Sequence, residues 1–92
     1  MEKEIVWTEV AQKDFWEISV YLKENWTQSV LNNFSHALFL KIQLLQKHPN
    51  IGFKSTQYSR FRKTLVTKHY MIIYPVLKKK IVIPRLKHTS LS

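Results

Sequence analysis

Apolar residues recur along this chain with two different periods. The change of period separates a helical first half from a strand-rich second half. Between Glu9 and about Glu24, Ala11, Phe15, Ile18 and Leu22 lie four, three and four residues apart, the stripe of one helix face. Trp16 and Val20 fall on another flank, so this helix is predicted to carry two apolar faces. From Gln28 to Lys47 the stripe is Leu31, Phe34, Leu38, Ile42 and Leu45, and Val30, Ala37, Phe39, Leu40 and Leu44 widen it beyond what one sheet should cover. Thr8 and Thr27 are placed to cap the two helices, their hydroxyls accepting from first-turn N–H groups. Asn25-Trp26-Thr27 is the break between them, which predicts an αα-hairpin. His48-Pro49 ends the second helix, because proline disfavours helical geometry in the residue before it. Asn50-Ile51-Gly52 reads as a turn. Gly52 is the sole glycine, which predicts a backbone conformation that other residues tolerate poorly.

The remaining segments read as strands. Glu4 to Thr8 has the β-branched and aromatic content of a first strand. Phe53 to Ser59 is polar and predicted to be irregular. Arg60 to Thr89 holds three runs rich in β-branched and aromatic residues separated by two basic breaks, the pattern of a three-strand antiparallel meander. A two-residue turn at Lys78-Lys79 would oppose Leu77 to Lys80, Pro75 to Val82 and Ile73 to Pro84. Neither proline can donate to a ladder, so each is predicted at a bulge, an edge or a strand end. The expected fold is α+β in two layers, in the order β-α-α-β-β-β, with the helical hairpin packed on one face of an antiparallel sheet. Phe15, Ile18, Leu38, Ile42, Leu65 and Ile73 are the predicted core between helices and sheet.

Composition narrows the class. The 92 residues make a single domain, 1–92, with no room for a second core. Absence of cysteine excludes disulfides and thiolate metal sites. The start Met1-Glu2-Lys3-Glu4 is unlike a signal peptide, and no apolar run approaches the roughly 20 residues of a membrane span, so a cytoplasmic protein without membrane contact is expected. Charge is segregated. The six acids (Glu2, Glu4, Glu9, Asp14, Glu17, Glu24) share residues 1–24 with three lysines, net −3; the other 12 bases lie beyond, with no acid, net +12, which makes up the total of +9. So one-sided a field attracts a polyanion or an acidic protein.

Candidate chemistry is sparse. There is no Gly-rich phosphate loop, and His36, His48, His69 and His88 lack metal-ligand spacing, so no cofactor or metal is expected. A paired-carboxylate site cannot be built on a segment that has no acid. What remains is a cationic surface of Arg60, Arg62, Lys63, Arg85, Lys87 and His88, able to hold phosphates and to stabilise charge at a scissile phosphate.

Several short motifs in order resemble the RelE/ParE superfamily of bacterial type II toxins, across nearly the whole chain. They are Trp7-Thr8 followed by Ala11 and Asp14, then Glu17-Ile18 and Tyr21, Trp26 at the hairpin turn, and His48-Pro49-Asn50-Ile51-Gly52 as an HP-x-x-G motif. Phe61-Arg62, His69, Ile73-Tyr74 and Arg85-Leu86-Lys87-His88-Thr89-Ser90 match the later strands. The long hairpin, the HP-x-x-G turn and the R-x-x-H-x-S ending resemble ParE-like members more closely. That resemblance implies a toxin of the plasmid-stabilisation type which inhibits DNA gyrase by binding, with a cognate acidic antitoxin as partner. The alternative it implies is a RelE-like endoribonuclease that cuts messenger RNA on the ribosome, with Arg62 and Arg85 holding the phosphate and His88 exchanging the proton. A non-toxic basic module that binds nucleic acid is the third reading, carried by charge alone.

Overall fold

The computed structural model describes residues 3–56 and 60–91, the last of these by its backbone alone. Among them the chain runs β1 (Glu4–Trp7), α1 (Glu9–Asn25), α2 (Gln28–Lys47), β2 (Phe53–Lys54), β3 (Phe61–Leu65), β4 (Tyr70–Pro75), β5 (Lys80–Ile83) and β6 (Arg85–His88), closed by a 3-10 turn at Thr89–Leu91. This is the α+β arrangement read from the sequence, a helical hairpin on an antiparallel sheet with an N-terminal strand.

Both helices begin where local chemistry directs. Thr8 Oγ1 accepts from the Ala11 N–H at 3.0 Å, and Thr27 Oγ1 accepts from the Val30 N–H at 3.1 Å. The Thr8 hydroxyl also faces the carbonyls of Ile83 and Pro84 at 3.3 and 3.1 Å, so the first cap is tied to the joint between β5 and β6. The core joins Ala11 and Leu22 of α1, Phe34, Leu38 and Leu45 of α2, and Tyr70, Ile72, Tyr74, Ile81, Ile83 and Leu86 of the strands, with Phe15, Ile18 and Ile42 partly buried against it.

The meander is redrawn. β3 and β4 form the expected antiparallel pair, Lys63 opposing Ile73 and Leu65 opposing Met71. The expected hairpin at Lys78-Lys79 does not form. Instead β4 pairs with β6, Ile73 opposing Arg85 and Tyr70 opposing His88. β5 pairs in parallel with β1, Glu4 opposing Lys80 and Trp7 opposing Ile83. A primed two-residue turn needs positive φ, which lysine resists, and no described residue adopts it. A wider connection after Pro75 therefore carries the chain over to β1.

Burial shows what Pro84 does. Ile81 and Ile83 face the core with the period of two that a strand imposes, but the next core residue is Leu86, while Arg85 is exposed. Alternation slips by one residue at Pro84, which separates β5 from β6 and so sits at a strand end, one of the places anticipated for it, and Pro75 closes β4 at its strand end.

Four further expectations are corrected. Leu65 is 46% exposed, because Thr64 opposes Ile72 on the helix-facing side and its neighbour must point away. Ile73 is buried, but by the same alternation on the face away from the helices. Gly52 has no positive φ; its requirement is space, since a Cβ there would lie 2.7 Å from both the Lys63 carbonyl oxygen and the Tyr74 hydroxyl. The segment expected to be irregular opens with the short strand β2, which pairs with β3, and its residues 57–59 lie outside the described residues.

Candidate functional site

The basic residues singled out in the sequence fall into separate environments. Arg62 on β3 points to the helix side and is bonded to the turn after α2, its Nη1 donating to the carbonyls of Gly52 at 2.7 Å and Asn50 at 3.3 Å. Beside it the Tyr74 hydroxyl donates to the Pro49 carbonyl at 2.8 Å and accepts from the Gly52 N–H at 3.2 Å. Burial raises the Tyr74 pKa from its ordinary 10.0, only partly opposed by the Gly52 N–H and the Arg62 charge. The HP-x-x-G motif is thereby stapled onto β3 and β4.

Arg85 is engaged at the opposite edge. Its Nε and Nη2 donate to the two carboxylate oxygens of Asp14 at 2.8 and 3.2 Å, a fork-to-fork pair, and Asp14 Oδ2 also accepts from the Leu86 N–H at 3.1 Å. The bond to Asp14 raises the Arg85 pKa. Sequence reasoning missed this pair, because no local signal says that an acid on α1 reaches the last strand. Asp14→Ala is expected to cost about 1–2 kcal/mol: the half-exposed Arg85 contact contributes little, and the Leu86 N–H loses a charged acceptor. Thermal unfolding checks this as a fall of roughly 4–15 °C for a domain of this size.

His88 sits in a third place. Its Nδ1 accepts from the Ser90 N–H at 3.1 Å and lies 2.7 Å from the Ser90 hydroxyl, so its neutral form carries the proton on Nε2. Its ring stacks on His69 with centroids 6.0 Å apart and meets Tyr70 edge-on at 5.3 Å. These rings, with Tyr21, Leu22, Trp26 and Val30, line a cavity of about 300 Å³. Burial, and secondarily Tyr21, raises the Tyr70 pKa.

Lys63 and Lys87 share the outward face of the sheet and flank β4, opposing Ile73 and Met71. Arg60 is exposed just before β3. The three residues of the cleavage alternative are not gathered. Arg62 opposes Tyr74 and His88 opposes Tyr70, four residues apart on β4, which is about 13 Å along a strand. Arg85 points from the other face toward Asp14. No group of three or more His, Cys, Asp or Glu suited to a metal ion occurs among the described residues. None of the described helices is long and apolar enough to cross a membrane.

The family model for the ParE toxin of the type II toxin-antitoxin system parDE matches residues 5–91. The chain belongs to this ParE toxin family. Solved structures agree on the fold of this ParE-family toxin. A chain of the chromosomal ParDE toxin-antitoxin system from P. aeruginosa superposes with a TM-score of 0.77 at 19% identity, over 95% of this chain and 96% of that one. The YoeB dimer from Staphylococcus aureus gives 0.66 at 13% identity over 95% and 97%. The E. coli DinJ-YafQ toxin-antitoxin complex gives 0.64 at 13% identity over 99% and 97%. At such identities the likeness speaks for the shared fold. No curated protein sequence matches the toxin.

Proposed function

We propose that this ParE-family toxin acts by binding DNA gyrase and inhibiting it, and that an acidic antitoxin holds it in check. The observation that carries the choice of a binder over a ribonuclease is the dispersal of Arg62, Arg85 and His88. Each is bonded to a structural partner, and no arrangement gathers them about one scissile phosphate. General acid–base work needs its groups within hydrogen-bond reach of one reacting centre. Binding needs only a complementary surface, and the positive field beyond Glu24 supplies long-range attraction to an acidic or DNA-bearing target.

The antitoxin half of the proposal is supported by apolar surface that the sheet leaves uncovered. Trp16 is 66% exposed and Phe39 58%, with Val10, Leu40 and Leu44 also exposed on the helices. Trp7, Gln12, Phe15, Trp16 and Leu38 line a groove of about 390 Å³. An amphipathic segment that folds as it docks matches such a surface in polarity, and acidic residues beyond its apolar face would meet the positive field of the chain after Glu24.

A supercoiling assay tests this reading. Purified toxin is expected to inhibit gyrase, with inhibition falling as salt is added because exposed charge contacts are screened. The acidic product of the neighbouring reading frame is expected to relieve it. Because Arg85 is tied to Asp14, reversing it also perturbs the fold; Lys63→Glu with Lys87→Glu probes the same face more cleanly. That pair is expected to weaken inhibition about tenfold or more, and Lys78→Glu with Lys79→Glu less than about twofold. No inhibition at any salt, together with messenger cleavage on ribosomes that Arg62→Ala and His88→Ala each abolish, would replace the gyrase reading by the ribonuclease one.

A further inference from the structure

We propose that the edge of the sheet where β2 meets β3 is a phosphate site for single-stranded nucleic acid, with Lys54, Arg60 and Arg62 as its cations and Phe53, on the other face of β2, as a stacking platform. Lys54 directly opposes Arg62 across the β2–β3 ladder. Like charges placed so destabilise a sheet. The local sequence does nothing to relieve them, since no acid occurs after Glu24, and neither ion pair among the described residues involves Lys54, Arg60 or Arg62. A bound anion would convert this repulsion into attraction.

The three cations line one cavity of about 230 Å³ together with Asn50, Phe61 and Val76. That is below the roughly 300–1,000 Å³ of sites for drug-sized ligands, and it suits a phosphate group better than a whole nucleotide. Arg62 is already oriented there, because its Nη1 bonds to Gly52 and Asn50 fix the plane of the guanidinium. An Arg fork held in advance loses little freedom on meeting a phosphate. Phe53 is 71% exposed and opposes Lys63, so it stands on the outward face, across the edge strand β2 from Lys54 and Arg62. A flexible single strand that rounds this edge would set its phosphates against the cations of the cavity and stack a base on the ring beside Lys63, the combination of charge and aromatic face that single strands use. The described residues that line the cavity include no His, Tyr or carboxylate, and the role proposed for the site is attachment. The site stands whether or not gyrase is the target.

Fluorescence polarisation of a labelled oligothymidylate of about a dozen residues, titrated with the full chain, tests the site without gyrase. Lys54→Gln with Arg60→Gln is expected to weaken binding about tenfold and to make the slope of log K against log salt shallower by about 1.4, two phosphates at about 0.7 each. Phe53→Ala is expected to weaken binding about tenfold with the slope unchanged, since stacking releases no counterions. Both variants change exposed side chains, and circular dichroism confirms that they fold. Lys78→Gln with Lys79→Gln is the control and should change binding less than about twofold. An equal loss from the control pair means diffuse attraction and overturns the site. So does displacement of the oligonucleotide by an acidic peptide of equal length as readily as by unlabelled strand, which would assign the cations to a protein partner.

Discussion

Replacing Leu38 by alanine is expected to lower the unfolding free energy by about 2–5 kcal/mol, a large share of the 5–15 kcal/mol typical of a domain. Leu38 is 4% exposed and lies in the core that joins both helices to β4 and β5. Truncation removes its burial and leaves a void. The void borders the groove lined by Trp7, Phe15 and Trp16, so part of it opens to water, which favours the lower half of that range. Leu65→Ala is the internal comparison. It removes the same atoms from an outward position on β3, and a change below about 0.5 kcal/mol is expected. Denaturant unfolding with an unchanged m-value measures both. Similar losses from the two variants would mean that the assigned faces of β3 and α2 are wrong.

Gly52→Ala is expected to destabilise the toxin by about 1–3 kcal/mol, the usual cost of overpacking. The added methyl would meet a backbone oxygen of Lys63 as well as the Tyr74 hydroxyl, and the backbone atom cannot swing away. Tyr74→Phe should cost about 1–3 kcal/mol by a different route, because it strands the Gly52 N–H and the Pro49 carbonyl. The two changes should not add, since Tyr74→Phe removes one of the two clashes that Gly52→Ala creates. The double variant should still fall short of Tyr74→Phe alone, because the Lys63 carbonyl remains. Tyr74 also has a pH signature. Its folded pKa lies above 10.0, so its contribution to stability is complete below about pH 10 and is lost as pH rises through the folded value. Tyr74→Phe should remove that part of the alkaline loss, leaving the part due to Tyr70, whose pKa is raised likewise. Stability measured from neutral pH to about pH 11 checks the sign.

Local chemistry determined much of this protein from the sequence alone. Thr8 and Thr27 cap the helices, the three-and-four spacing of apolar residues orients them, and His48-Pro49 stops the second, because each effect acts within one or two helical turns. The cationic second half is equally legible, since charge requires only counting. The sequence also marked Pro84 as a place where a ladder must fail, though not which strand would take each side of the break. Tertiary structure decided the rest. Lys80–Ile83 could have paired with β4 by the residues it holds, and what seats it beside β1 is a partner some 76 positions away in the chain. Leu65 is the more apolar residue, but register with Ile72 gave the core place to Thr64. Gly52 is required by the approach of Lys63 and Tyr74 rather than by its own φ. Asp14 reaches Arg85, and Arg62 reaches the turn at Gly52, across separations that no periodicity encodes. Those long-range bonds, invisible to any local reading, separate the basic residues that the sequence presented as one cluster.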